Sequence, residues 1–292
     1  MNRFENRKTI PRRISSGPAK IVSLLSGKGG VGKTVLVVNL AERMAALGAR
    51  VLVVDADINC GNTHIIANTG CDYGFKEFIR GDLSIREAVV TTKYGFDLMA
   101  AGAGEPVFVD GDIKAIATTI LNLRRNATEY DIIIMDHGSG ISKADTVMAH
   151  GSDINIVTFV PELTSISDCY GLYKHLHRTD SAIEVRLMAN RVTSEQEAHF
   201  VYGKLCAISE RFVGQAPEFI GYISESRLFR ESIATQTTLS GLNQQSAAIQ
   251  ELTLIAVNIF RGFGWPISAA VARTLSTEKT INETTAPADI RE

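Results

Sequence analysis

Ser26-Gly27-Lys28-Gly29-Gly30-Val31-Gly32-Lys33-Thr34 is the stretch on which the fold turns. An apolar run, Ile21–Leu25, leads into it, and a segment with helical spacing, Val35–Leu47, leaves it. Glycine-rich turns between a buried strand and a helix bind phosphate for two reasons. The first N–H groups of a helix lack intrahelical partners and sit at its positive dipole end. Glycines let the backbone wrap the anion where a Cβ would clash. Gly27, Gly29, Gly30, Val31 and Gly32 then supply backbone, Lys33 reaches the β- and γ-oxygens, and the Thr34 hydroxyl is placed for Mg²⁺.

Working outward, further short apolar runs occur at Val51–Val54, Ile132–Met135, Ile154–Val160, Val185–Ala189 and Phe219–Ile223. Uninterrupted apolar runs suit strands buried on both faces of a parallel sheet. Helical spacing separates them at Lys33–Leu47, Ile113–Arg125, Ser165–His177, Glu195–Phe212 and Ala247–Phe260. This alternation predicts an α/β fold: a doubly wound, mostly parallel sheet with helices on both faces. One domain is expected over residues 20–265. Residues 1–19 are expected to form a flexible leader, basic through Arg3, Arg7, Lys8, Arg12 and Arg13. A disordered tail is expected over 266–292, rich in Ser, Thr and Ala.

The chain has 292 residues, of which 45% are hydrophobic and 21% charged. That is an average soluble composition, long enough for a core without disulfides. A net charge of −2 provides no global basic field toward nucleic acid or anionic lipid. Cys60, Cys71, Cys169 and Cys206 show no C-x-x-C spacing, so ordinary thiols are expected. No apolar run reaches membrane-span length and no secretory signal is visible, which makes the cytoplasm the default.

Carboxylates follow two of the strands. Asp55 and Asp57 end the run Val53-Val54-Asp55-Ala56-Asp57, at the sheet edge where ligands bind. Being two apart, they share a face if the strand continues, and are placed to hold the Mg²⁺ water shell and orient an attacking water. Asp136 ends Ile132-Ile133-Ile134-Met135-Asp136, the arrangement that holds Mg²⁺ through water. Gly140, four residues on, suits a switch loop that senses the γ-phosphate. His175 and His177 are two apart on a predicted helix, face different ways, and are expected at the surface.

One P-loop needs one phosphate lysine, so Lys28 calls for another explanation. The form K-G-G-V-G-K-T resembles the deviant Walker A ATPases of the MinD/ParA family, and the resemblance spans residues 20 to about 265. It implies that Lys28 reaches into a partner subunit's nucleotide in an ATP-bound homodimer. It also implies that Asp55-Ala56-Asp57 with Asn62 is switch I, with Asp57 positioning water. Lys28, Lys33 and Asp57 are then the catalytic set, Thr34, Asp55 and Asp136 the metal set. Asn190-Arg191 matches the family's adenine-binding pair, and Ile223-Ser224-Glu225 stands where relatives have I-P-x-D. Departures are His137, where relatives carry a small or hydroxyl residue and which reads as tolerated variation, His64, which replaces an acid, and Ser224, which replaces Pro.

Pro161-Glu162-Leu163-Thr164-Ser165-Ile166-Ser167-Asp168-Cys169-Tyr170 points to the FlhG/FleN branch, regulators of flagellar number and placement. The resemblance implies a slow ATPase switch and flagellar partners: a signal-recognition-type GTPase, a transcription regulator or a basal-body component. The leader lacks the D-Q-A-x-x-L-R helix by which some members stimulate that GTPase. Other readings are an ATP-binding docking module with negligible turnover and a partition protein that binds DNA. Glu195, Glu197 and Glu210 around Lys204 and Arg211 argue against DNA. The segment Ala247–Phe260 with Phe263 and Trp265 reads as a core helix, with a reversible membrane anchor as the alternative.

Overall fold

The computed structural model describes residue 14 and residues 17–58, 60–102 and 113–266. Nearly all of the expected leader and tail lies outside them. In chain order the elements are β1 (Lys20–Ser26), α1 (Lys33–Ala46), β2 (Val51–Asp55), α2 (Thr63–Ile66), α3 (Phe75–Arg80) and α4 (Ile85–Ala88). Then come β3 (Val90–Thr91), β4 (Asp97–Met99), α5 (Ile113–Asn126), β5 (Ile132–Ser139), α6 (Lys143–His150) and β6 (Ile154–Phe159). The rest are α7 (Leu163–Thr179), β7 (Val185–Val192), α8 (Glu195–Val213), β8 (Glu218–Ser224), α9 (Arg227–Thr235), α10 (Leu239–Leu242) and α11 (Ala247–Gly262).

The strands form one sheet in the order β3-β4-β2-β5-β1-β6-β7-β8. Every pairing is parallel except β3 with β4. From the central β1 the chain winds first toward β2, then back through β5 toward β6, β7 and β8. Ligands bind at such a reversal, outside the carboxyl ends of the strands. The phosphate loop follows β1 and stands there.

Alternation along β1 divides the core between the faces. Val22 and Leu24 face α1 and α11. Ile21 packs with α5 and α6, and Leu25 with α7 and α8. Local caps end the helices: the Ser194 hydroxyl accepts the Glu197 N–H at the start of α8, and Gly214 closes it in the left-handed conformation.

α11 belongs to the core. Ala248, Ile249, Leu252, Ile255, Ala256, Val257, Ile259 and Phe260 are all buried, and Phe263 and Trp265 pack against the same cluster. Leu252→Ala is expected to lower unfolding free energy by about 3 kcal/mol, read from the denaturant midpoint. Among the described residues, no helix is long and apolar enough to cross a membrane.

The expectation for the paired histidines needs correcting. His177 is buried and stacks on Tyr173, with ring centroids 5.5 Å apart. His175 is half-buried, its Nε2 3.1 Å from the Thr146 hydroxyl. Only His177 departs from the expectation, packing inward against Tyr173; His175 faces another way, half-exposed beside α6.

Candidate functional site

The loop after β1 is held by its own chain before any ligand is considered. The Ser26 hydroxyl donates to the Lys28 carbonyl at 3.0 Å, and the Gly140 N–H donates to the Ser26 carbonyl at 2.9 Å. Gly30 and Gly32 have φ of +79° and +89°, which side chains rarely adopt. Space beside Gly30 is open, so a Cβ there would project into a cradle rather than a wall. Gly27 is required for another reason. A Cβ on it would lie 2.4 Å from the Asp168 carbonyl oxygen, so the loop packs directly on α7.

A cavity of about 240 Å³ over the loop is lined by Ser26, Gly29, Gly32, Lys33, Thr34, Asp57 and Ser139, among others. The Lys33 ammonium is buried at its floor, 2.9 Å from Asp136 Oδ1 and bonded to the His137 carbonyl. Asp136 Oδ2 accepts the Thr63 hydroxyl at 3.2 Å. The fold thus brings together Lys33, Thr34, Asp57 and Asp136, as the spacing predicts.

Asp55 departs from the expectation. β2 ends at Asp55, so Asp55 and Asp57 do not share a strand face. The Asp55 carboxylate accepts the backbone N–H groups of Asp57 at 3.2 Å and Thr63 at 3.0 Å. Burial, then the charge of Asp136, pushes its pKa up to about 7, against the pull of the bonds from Thr63. Of the three expected metal residues, Thr34 lines the cavity, and Asp136 is bonded to Lys33 and Thr63. Asp55 instead organises the segment that carries Asp57 and Asn62. Asp57 Oδ1 accepts the Cys60 N–H at 3.1 Å, and the Asn62 amide donates to the Cys60 carbonyl at 2.8 Å.

Lys28 projects from the rim, with 39% of its side chain exposed. Its ammonium is 2.8 Å from Glu162 Oε2 and 3.0 Å from the Thr164 hydroxyl, both at the start of α7. That donor, and its charge, hold the exposed Glu162 carboxyl below the usual range.

A second cavity, of about 230 Å³, adjoins the first at Gly30, Gly32 and Val35. Asn190, Arg191, Glu225, Phe229, Arg230 and Ile233 complete its lining. The Asn190 amide donates to the Val31 carbonyl at 2.6 Å, while its Oδ1 is buried without a partner among the described residues. An orphaned acceptor beside an apolar slot fits a planar base with an amino group. Arg191 Nε is 2.6 Å from Glu225 Oε2, so this pair caps the slot. Ile223 is buried in the core behind it, not on its wall. Ser224 bonds to Glu251 of α11 through both its N–H and its hydroxyl.

Sequence reading missed Phe229, Arg230 and Ile233, and no local motif marks them. α9 is nine residues long and strongly two-sided, and that short periodicity was the available signal. Phe229→Ala is expected to weaken ATP binding about tenfold, measured by nucleotide titration, through loss of a stacking and apolar wall.

Residues 19–188 match the AAA domain family. The chain is 26% identical over 255 residues to the antiactivator FleN of Pseudomonas aeruginosa, covering 87% of this chain and 90% of that protein. It is 24% identical over 243 residues to the flagellum site-determining protein YlxH of Helicobacter pylori, covering 83% and 82% respectively. Among solved structures, the septum site-determining protein MinD of Pyrococcus horikoshii, complexed with Mg-ADP, superposes with a TM-score of 0.68. That match is at 20% identity and covers 82% of this chain and 96% of the other.

Proposed function

Since the chain belongs to the AAA-domain family, as a P-loop ATPase of MinD/ParA type, we propose that it is a Mg-ATP-dependent dimerising switch that controls flagellar number and placement. The observation that carries the switch is Lys28, a second lysine on the exposed rim of the phosphate loop. Support for the flagellar assignment comes from similarity to FleN and YlxH over most of their length.

In this reading Lys33 leaves Asp136 and the His137 carbonyl to meet the β- and γ-phosphates. Its departure would free Asp136, and Asp136 with Thr34 would hold a magnesium ion. Bound there, such an ion would supply neutralisation of phosphate charge. Asp57 orients water in line with that phosphate. Asn190 Oδ1 accepts the adenine amino group, with Phe229 and Ile233 against the ring. Lys28 leaves Glu162 and Thr164 to complete a facing subunit's site. Partner proteins at a flagellar base or in flagellar gene control would then distinguish the ATP dimer from the ADP monomer.

Light scattering with ATP and Mg²⁺, run beside a phosphate-release assay, tests the reading. Doubling of mass with ATP, reversed as phosphate is released, is expected. A chain that stays monomeric with ATP sinks the switch. A chain that dimerises without turnover is instead a docking module.

A further inference from the structure

His137 follows Asp136 on β5, yet neither cavity uses its side chain, which is fully buried. β5 carries an extra residue at this point. Leu24 pairs with Asp136 and Ser26 with Ser139, so His137 and Gly138 stand opposite Leu25 alone. Such bulges redirect side chains beside active sites.

Here the redirected ring has two partners. His137 Nδ1 lies 2.9 Å from Asp145 Oδ1 on α6, and Nε2 lies 2.7 Å from the Ser23 hydroxyl on β1. The other Asp145 oxygen accepts the hydroxyl of Ser142, whose oxygen accepts the Asp145 N–H at 3.0 Å. A single carboxylate therefore grips the residue before the 138–141 segment and the residue after it. Burial alone would raise the Asp145 carboxyl, but the His137 and Ser142 bonds hold it below the usual range.

The backbone fixed by this grip touches two functional side chains. The His137 carbonyl accepts Lys33. Gly138 lies against the Asp57 carboxylate, where a Cβ would be 3.6 Å from Asp57 Cγ. His137 is thus a built feature and not the tolerated variation expected from sequence.

We propose that His137 is a positioning residue for ATP hydrolysis: its Nδ1 bond to Asp145 clasps the 138–141 segment onto α6 and so sets the backbone that lies against Asp57. The proposal rests on the ATPase reading above. It separates the two ring nitrogens, which a packing role would not.

Two variants exploit that separation. In His137→Asn the side-chain amide stands where Nδ1 stood and reaches Asp145. In His137→Gln it reaches Ser23 and leaves Asp145 without its ring donor. Single-turnover hydrolysis by the Asn variant is expected within about threefold of wild type, and by the Gln variant about tenfold slower. ATP affinity by titration should match wild type in both. Amide hydrogen exchange over 138–142, followed without nucleotide, should be slow in wild type and the Asn variant and faster in the Gln variant. Equal behaviour of the two variants in turnover and exchange overturns the clasp, as does a turnover loss matched by lost ATP binding. If wild type itself hydrolyses no ATP, the ATPase reading fails, and the exchange comparison alone decides the clasp.

Discussion

Lys28→Ala is expected to bind ATP within about threefold of wild type, because it removes only an exposed ion pair worth little in water, and to remain monomeric at every ATP concentration. The Lys28 ammonium bonds to Glu162 and Thr164 at the start of α7. The loop's shape is set elsewhere, by Ser26, Gly140 and the packing of Gly27 on Asp168. Loss of the side chain therefore leaves the cradle intact and removes only a charge able to cross an interface. Glu162→Gln gives the converse check, since it weakens the same-chain contact while keeping the lysine. It should favour dimerisation at lower ATP. Light scattering against ATP concentration reads both, and a Lys28→Ala protein that dimerises like wild type refutes the cross-subunit lysine.

Asp57→Ala is expected to retain ATP affinity and to slow single-turnover hydrolysis by about 10²-fold, the usual contribution of a positioned acid–base or water-orienting group. Asp57 lines the phosphate cavity together with Thr34 and Ser139. Its known tether is the Cys60 N–H, so the substitution loosens one turn without disturbing the sheet. The ATP dimer should persist longer in proportion to the slower rate. Unchanged single-turnover kinetics would remove Asp57 from the reaction and direct attention to Ser139, which lines the same cavity. Lys33→Ala should differ in kind: nucleotide binding itself is lost, since the buried ammonium is the one cation at the cavity floor among the described residues.

The central strands were legible because each is an unbroken apolar run long enough to exclude a surface loop. β3 and β4 were not, being two and three residues long at the sheet edge. α2, α4 and α10 have four residues each, too short for a helical period to declare itself. In the site, local spacing marked the loop, Asp57 and Asp136, which the fold gathers about one cavity. His137 could not be read this way, because Ser23 lies 114 positions away in sequence and only the adjacency of β1 and β5 unites them. Asp55 illustrates the opposite failure. Alternation placed it beside Asp57, but the strand stops there and the backbone of Asp57 folds back onto the Asp55 carboxylate. Periodicity holds only while the element lasts.

The position of β1 also bears on how the protein is made. As the central strand, it pairs with β5 and β6, whose residues are synthesised more than a hundred positions later. At about 5–20 residues per second, the ribosome needs on the order of ten seconds to deliver those neighbours. Until then β1 has no strand to pair with, and α1 has only β2 and its early neighbours to pack on. α11 arrives later still, yet α1 packs against it more than against any other helix. The phosphate loop between β1 and α1 therefore acquires its shape near the end of synthesis.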